Sequence, residues 1–218
     1  MHHVNDKSAS RATGTGDGAV DHTTSAQRLG VGNADVVGPD AHLGTGRTLA
    51  AVLFTDIVGS TSFAATIGDS RWRDLLDEHD ALARSRITEH RGRLVGFTGD
   101  GVLAHFSATE RAVRCAFALR DALTALGIQI RAGLHVGEID LRGEAISGIA
   151  VHIAHRVLRL AQPGELLASE AVPCSVRGGG VAFRDAGEHE LKGVPGRWRL
   201  LAVGVPFDVR SAVHSLSA

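Results

Sequence analysis

Hydrophobic positions along this chain follow two different spacings, which succeed one another in a regular order. Residues 48–58 form an almost unbroken apolar run, which predicts a buried strand. Residues 71–90 place apolar side chains three or four positions apart, as an amphipathic helix does, and a shorter helix is predicted at 60–65. Two strands separated by a tight turn follow at 93–98 and 102–106. The first half of the pattern is therefore strand, helices and hairpin.

The second half continues with helix, strand, helix and a final strand. Helical spacing predicts a helix over 109–126, and alternation of apolar and polar residues predicts a strand over 128–136. A further helix is predicted at 147–161, and the Gln-Pro-Gly sequence at 162–164 ends it. A closing strand is predicted at 198–203.

This order of elements predicts the fold class. Strand, helices, hairpin, helix, strand is the order of an α+β fold with a ferredoxin-like βαββαβ core. We therefore expect an antiparallel sheet with helices packed on one face. In such a fold the end of the first strand lies beside the tip of the central hairpin.

The two ends of the chain differ in composition from the part between them. Residues 1–46 contain no Phe, Trp or Tyr and have no sustained hydrophobic period. Such a segment buries too little apolar surface to offset its ordering entropy, so we expect a disordered N-terminal tail. The predicted domain covers 47–204, and 205–218 is expected to be a C-terminal tail.

Composition argues against several classes of partner. The 218 residues carry a formal net charge of −1, so no global basic field attracts nucleic acid. No apolar run approaches the roughly 20 residues of a membrane-spanning helix, and the N-terminus lacks the apolar segment of a signal peptide. Cys115 and Cys174 are far apart, which suits reduced thiols better than a disulfide scaffold. We therefore expect a cytoplasmic protein without a nucleic-acid or membrane partner.

One carboxylate interrupts the first apolar run. Asp56 lies near the end of the strand at 48–58, and a small polar turn follows it. Burying an unpaired ionised carboxylate costs several kcal/mol, so something must neutralise this one. The neutralising group is either a set of backbone N–H groups in the following turn or a bound cation.

A second acid lies at the tip of the predicted hairpin. Asp100 stands between Gly99 and Gly101, where it also suits an ordinary tight-turn residue. The predicted fold brings Asp100 beside Asp56. Two carboxylates form an all-oxygen site of the kind that Mg²⁺ prefers. We therefore take both acids as candidate metal ligands.

The turn after Asp56 suits a phosphate group. Gly59, Ser60 and Thr61 precede the predicted short helix, whose first N–H groups and positive dipole end favour an anion. The same three residues would serve equally well as a simple helix N-cap.

Two other groups of polar residues have more than one interpretation. His135 and Glu138 lack a convincing third ligand, so we reject a zinc site there. The helix at 147–161 carries a basic stripe, which from its pattern alone is equally a solvated face, formed by His152, His155, Arg156 and Arg159.

Five ordered motifs resemble those of the class III nucleotidyl cyclase catalytic domain, in its actinobacterial form. They lie at 54–61, 98–101, 131–138, 148–156 and 190–193. The resemblance extends over about residues 48–203. Because several motifs occur at suitable spacing, it is specific for the fold.

The resemblance implies roles for the matching residues. Asp56 and Asp100 correspond to the two metal-binding aspartates, and the carbonyl of Ile57 would help them hold two Mg²⁺ or Mn²⁺ ions. Arg156 corresponds to the arginine that stabilises the transition state. His152 stands where many members have an asparagine that orients the ribose.

The resemblance also implies a reaction and an assembly. In this family the 3′ oxygen of a nucleoside triphosphate attacks the α-phosphorus, and pyrophosphate leaves. Lys192 resembles the lysine that meets the triphosphate. One chain of a head-to-tail homodimer supplies the aspartates and the other supplies the helix that carries Arg156. We therefore expect an adenylate cyclase that acts as a homodimer.

The sequence departs from the family at the two positions that read the base. Adenylate cyclases have a lysine four residues before the second metal aspartate, where this chain has Gly96, and a partner aspartate where it has Ala145. The pair of residues that reads guanine in guanylate cyclases is also missing. We therefore expect weak activity and relaxed base choice, with ATP favoured. The alternatives are a catalytically silent cyclase-like domain that binds nucleotide or pairs with a partner, and a cyclase that uses GTP.

Overall fold

The computed structural model describes residues 46–176 and 180–204. The predicted tails at 1–46 and 205–218 lie outside the described residues, except for Gly46. In chain order the described elements are β1 (Gly46–Ile57), α1 (Ser60–Ile67), α2 (Asp69–Glu89), β2 (Arg93–Phe97), β3 (Gly101–Phe106), α3 (Thr109–Ala125), β4 (Ile130–Arg142), β5 (Ala145–Ser147), α4 (Ile149–Leu160), β6 (Leu166–Ser169), a 3₁₀ turn (Pro173–Ser175), β7 (Ala182–Glu190) and β8 (Arg197–Gly204).

The predicted α+β class and its ferredoxin-like core are confirmed. The sheet has the strand order β2-β3-β1-β4-β6-β8-β7, and β5 pairs with β4. Strands β2, β3, β1 and β4 are antiparallel neighbours. Helices α2 and α3 cover one face of this core, where Ile87 and Leu119 pack in the same buried cluster as Leu53.

Two features differ from the prediction of an antiparallel sheet with helices on one face. Strand β6 runs parallel to β4, so the complete sheet is mixed. Helix α4 covers the second face, where Ala154 and Leu158 pack with Val52 and Phe54 of β1. The reason lies in β1, whose successive residues are apolar, so that both of its faces need a covering layer.

Glycine allows α4 to approach β4 closely. A Cβ atom built on Gly133 would lie 2.3 Å from the backbone nitrogen of Leu158, and one on Gly137 would lie 2.8 Å from the Cβ of Ala150. Neither position has room for a side chain while the helix stays in place. The two glycines therefore set the distance between α4 and the sheet.

We expect Gly133→Ala to destabilise the domain by about 2 kcal/mol, because the new methyl group forces α4 away from the sheet. Urea unfolding followed by circular dichroism measures the change. Gly96→Ala is the matched control, since a Cβ there meets no atom within 4 Å. Equal stability of the two variants would contradict this packing.

The structure contains more strand than the sequence predicts. Strand β4 continues to Arg142, well beyond the predicted end at residue 136, and β7 was not predicted at all. Strand β7 escapes prediction because few of its residues are apolar and none is buried. None of the helices among the described residues is both long enough and apolar enough to cross a bilayer.

Candidate active site

Asp56 is the next-to-last residue of β1 and faces α4. In the sheet it lies opposite Gly101 of β3 on one side and Arg131 of β4 on the other. Strand alternation places it on the same face as Val52 and Phe54, which pack against α4. Its side chain is 21% exposed, so the carboxylate is largely screened from water but still accessible.

Arg131 neutralises Asp56, which sequence reasoning did not foresee. Its Nη2 and Nε atoms donate to the same oxygen, Asp56 Oδ2, at 2.6 and 3.1 Å. The second carboxylate oxygen, Oδ1, accepts no hydrogen bond from the described residues. Asp56 is therefore held in place by Arg131 and keeps one oxygen for another partner.

Asp100 lies in the turn between β2 and β3 and lines the same cavity as Asp56. The cavity has a volume of about 540 Å³. Gly101 makes the close approach of the two strands possible, because a Cβ there would lie 2.3 Å from the carbonyl oxygen of Thr55. The fold therefore brings the two acids together, as the hairpin argument predicts.

The turn between β1 and α1 forms another wall of this cavity. Ile57, Gly59, Ser60 and Thr61 all line it. Gly59 is the N-cap residue with a left-handed φ of 66°, and no side chain caps the helix. Gly59 therefore is the N-cap residue, but it caps the helix without a side-chain hydrogen bond, and Ser62 Oγ donates to the Gly59 carbonyl at 2.8 Å. The first N–H groups of α1 stay available to a ligand.

We call the residues that line this cavity and were predicted to bind metal or phosphate the aspartate half-site. They are Asp56, Ile57, Gly59, Ser60, Thr61 and Asp100. Two carboxylates with one unengaged Asp56 oxygen fit the oxygen donors that Mg²⁺ or Mn²⁺ needs, although Arg131 offsets part of their negative charge.

Arg156 and Lys192 lie together but outside that cavity. Arg156 Nε donates to the backbone carbonyl of Lys192 at 2.9 Å. Lys192 lines a different cavity of about 570 Å³, formed by the segment from Glu190 to Arg197 between β7 and β8. His152 is exposed one turn before Arg156 on α4. We call His152, Arg156 and Lys192 the helix half-site.

The predicted site residues thus form two groups on one chain. The aspartate half-site lies at the end of β1, and the helix half-site lies on α4 and the loop between β7 and β8. Neither the aspartate cavity nor the cavity beside Lys192 is lined by residues of both groups.

The two divergent base-reading positions carry no polar side chain. Gly96 lies in β2 at a point where the register with β3 shifts, and a Cβ there would meet nothing within 4 Å. Ala145 is exposed at the start of β5. Both positions therefore have room for a larger, polar residue.

Two arginines of the aspartate cavity were not predicted as site residues. Arg131 and Arg159 both line it. Arg131 could be found only from the register that places it opposite Asp56. Arg159 was visible in the basic stripe of α4, but the stripe alone does not distinguish a site from a solvated face.

His135 is a buried residue that packs and hydrogen-bonds inside the fold. It is 5% exposed, its Nδ1 lies 2.6 Å from Ser169 Oγ, and its ring contacts Trp198 edge-on. The described residues contain no group of three or more His, Cys, Asp or Glu that could hold a metal ion. Burial lowers the pKa of His135 to about 4.

This lowered pKa predicts an acid-sensitive fold. Below its ordinary pKa of 6.5 His135 takes up a proton when the chain unfolds but stays neutral in the fold, so stability falls as the pH drops from 6.5 towards 4. Over this pH range the lowered pKa of His135 reduces the free energy of unfolding by about 3 kcal/mol. We expect His135→Gln to flatten the curve of unfolding free energy against pH between 7 and 4.5, as measured with urea. His152→Gln, which changes an exposed histidine, is the control. If His135→Gln gave the same slope as this control and the unchanged protein, the prediction would be wrong.

Comparisons with known proteins indicate the kind of domain that this chain carries. No protein-family model matches the chain. It is 32% identical over 164 residues to a Rhizobium meliloti protein named "Putative adenylate cyclase 3", and the match covers 68% of this chain but 27% of that protein. An uncharacterised Mycobacterium tuberculosis protein is 35% identical over 118 residues, which cover 53% of this chain and 31% of that one. The chain therefore spans about a third or less of these relatives.

Solved structures of cyclases share the fold. An adenylate/guanylate cyclase/hydrolase from Silicibacter pomeroyi has a TM-score of 0.62 and 28% identity, over 72% of this chain and 97% of that one. The adenylyl cyclase CyaB from P. aeruginosa has a TM-score of 0.65 and 22% identity, over 73% and 95%. The chain therefore carries a domain of the class III adenylyl/guanylyl cyclase kind.

Proposed function

We propose that this chain is a nucleotidyl cyclase that converts ATP to 3′,5′-cyclic AMP and pyrophosphate. The proposal includes a site shared by two copies of the chain, weak activity and relaxed base choice. One observation carries it. Asp56 and Asp100 line one cavity, whereas Arg156 is hydrogen-bonded to the carbonyl of Lys192, which lines another cavity. Each chain therefore offers an aspartate half-site and a helix half-site that do not meet. A second copy placed head to tail would complete both sites.

The aspartate half-site would hold the phosphates and the cations. Asp56 Oδ1 and the Asp100 carboxylate would be the protein ligands of two Mg²⁺ or Mn²⁺ ions, with the Ile57 carbonyl beside them. The first N–H groups of α1, at Gly59 to Thr61, would donate to phosphate oxygens. Bound divalent ions would stabilise the attacking oxygen and the departing pyrophosphate.

The helix half-site of the second copy would act on the sugar and on the transferring phosphorus. Arg156 would donate to the oxygens of the α-phosphate as charge accumulates there. His152, exposed on the same face of α4, would donate one hydrogen bond to the ribose. Lys192, next to Arg156, would contact the triphosphate.

The base would be held weakly. Gly96 and Ala145 offer no side-chain hydrogen bond, and a site that lacks such groups discriminates poorly between bases. Two missing hydrogen bonds at about 1 kcal/mol each would weaken productive binding by one to two orders of magnitude. ATP is favoured by the resemblance to adenylate cyclases.

The product assay tests the proposal. Purified protein is incubated with Mn²⁺ or Mg²⁺ and with ATP or GTP, and cyclic nucleotide is measured by mass spectrometry. The proposal predicts cyclic AMP from ATP, and cyclic GMP from GTP at a comparable but lower rate. Cyclic GMP alone would identify a guanylate cyclase. Nucleotide binding without any cyclic product under either metal would favour the catalytically silent domain.

Restoring the base readers should sharpen base choice. We expect Gly96→Lys combined with Ala145→Asp to lower the KM for ATP by about tenfold or more while the KM for GTP changes little. Both side chains have room, because Gly96 has no neighbour within 4 Å of a Cβ and Ala145 is exposed. Gly96→Met with Ala145→Asp is the matched control without the amine. Equal shifts for ATP and GTP would mean that the base lies elsewhere.

A further inference from the structure

Arg159 belongs to the aspartate cavity of its own chain. It stands in the last turn of α4 and lines the cavity together with Asp56, Asp100 and Arg131. This placement separates it from Arg156 on the same helix, whose guanidinium is directed to the Lys192 carbonyl. Two arginines three residues apart on one helix therefore reach different parts of the chain.

The packing of α4 on β1 explains why Arg159 reaches this cavity. The His155 ring lies over Phe54, with ring centres 5.3 Å apart. Four residues of helix advance about 6 Å and two residues of strand about 6.8 Å. Arg159, one turn after His155, therefore comes to lie near Asp56, two residues after Phe54.

The charges in the cavity leave Arg159 available to an anion. Arg131 is engaged by Asp56 at 2.6 Å. Among the described residues, no carboxylate lies within ion-pair distance of Arg159, and its side chain is exposed. A guanidinium that lines a cavity next to the open helix N-terminus of α1 is suited to phosphate oxygens, which it can bind with two hydrogen bonds.

We propose that Arg159 is a polyphosphate-binding residue of the aspartate half-site, supplied by the same chain as Asp56 and Asp100. Its ligand is a polyphosphate group accompanied by a divalent cation, either the triphosphate of the substrate or the pyrophosphate that leaves. The inference rests on the proposed function for the identity of this ligand. The chain that supplies the aspartates would then contribute two phosphate contacts, Arg159 and the N-terminus of α1, and the second copy would contribute Lys192.

Binding of inorganic pyrophosphate tests the inference without turnover. Titration calorimetry is performed on the full chain with Mn²⁺ and pyrophosphate, on the unchanged protein, Arg159→Gln, Arg159→Lys and Arg114→Gln. Arg114 is the matched control, because it is an exposed arginine on α3, on the other face of the sheet, and its ion pair with Glu110 is local. We expect Arg159→Gln to weaken pyrophosphate binding about tenfold, Arg159→Lys to weaken it less, and Arg114→Gln to leave it unchanged.

Two further ligands identify the group that Arg159 binds. The affinity for Mn²⁺ with a non-cyclisable ATP analogue should fall as much as that for pyrophosphate, whereas the affinity for adenosine should not change. A loss confined to the ATP analogue would place Arg159 on another part of the nucleotide and overturn the proposal. So would equal pyrophosphate affinities of the unchanged protein and Arg159→Gln, or no pyrophosphate binding at all.

The outcome is independent of the cyclase assay. If the unchanged protein forms no cyclic product yet loses pyrophosphate affinity on Arg159→Gln, the proposed activity fails and the polyphosphate site stands. If it forms cyclic product and Arg159→Gln binds pyrophosphate normally, the activity stands and this inference is wrong.

Discussion

Asp56→Asn should lower cyclic-nucleotide formation by about a thousandfold or more. The amide removes the negative charge that would hold the divalent cations, and cation stabilisation of a phosphoryl transition state is worth several kcal/mol, with each 1.36 kcal/mol a factor of ten in rate. Arg131 would remain beside a neutral amide, which makes the cavity more positive. Initial rates of cyclic AMP formation at saturating Mn²⁺ and ATP measure the loss.

The control for Asp56→Asn is a second aspartate–arginine pair outside the cavity. Asp185 Oδ2 lies 2.6 Å from Arg199 Nη2, the same separation as in the Asp56–Arg131 pair, but on strands β7 and β8. Asp185→Asn removes an ion pair that lies in solvent and contributes little to stability, so this variant should retain activity. Equal losses in the two variants would mean that Asp56 acts only through the fold.

Arg156→Ala should also lower the rate by about a thousandfold, mainly through kcat, with little change in folding stability. A positioned arginine at a phosphoryl-transfer centre is worth about 10³ or more. The side chain makes a hydrogen bond to the Lys192 carbonyl at the surface, so the fold loses little when it is removed. Steady-state kinetics with thermal unfolding of the same preparation separates the two effects.

Two variants show whether the geometry of Arg156 matters as well as its charge. Arg156→Lys keeps the charge but loses the two-pronged guanidinium, so we expect it to recover only a small part of the rate. Arg114→Ala, on the opposite face of the sheet, should have the full rate. A normal kcat in Arg156→Ala would remove this arginine from the reaction.

The meeting of the two acids could be predicted because it depends on topology rather than on side-chain detail. Asp56 ends a buried strand, and Asp100 lies at the tip of a hairpin that the ferredoxin-like order places next to it. The polar turn at Gly59 to Thr61 follows Asp56 directly in sequence. Their placement could be predicted without knowing the strand register, and all of them line one cavity.

The arginines of that cavity could not be predicted because they depend on register and packing. Arg131 faces Asp56 only because β1 and β4 pair Asp56 with Arg131 rather than with a neighbour one residue away. Arg159 reaches the cavity only because α4 covers the second face of the sheet. Because all helices were expected on one face of the sheet, no helix was predicted on the second face, where Arg159 lies.

The helix half-site came from the resemblance rather than from pattern. On helical spacing alone His152 and Arg156 are indistinguishable from a solvated basic face, and Lys192 is one exposed residue of a loop. The hydrogen bond from Arg156 to the Lys192 carbonyl joins the last two in space. Under the proposed function, a second copy of the chain would bring these residues to the aspartates.

Mixing two inactive variants tests the shared site most directly. Asp56→Asn lacks a working aspartate half-site and Arg156→Ala lacks a working helix half-site, but a mixed dimer contains one site in which both halves are intact. Equal amounts, co-purified through two different affinity tags and compared with each variant alone, should recover activity. Random pairing yields about half mixed dimers, and one of the two sites in each mixed dimer works. The mixture before co-purification should therefore reach about a quarter of the parental rate. Mixed dimers that form but remain as inactive as either variant alone would contradict the account.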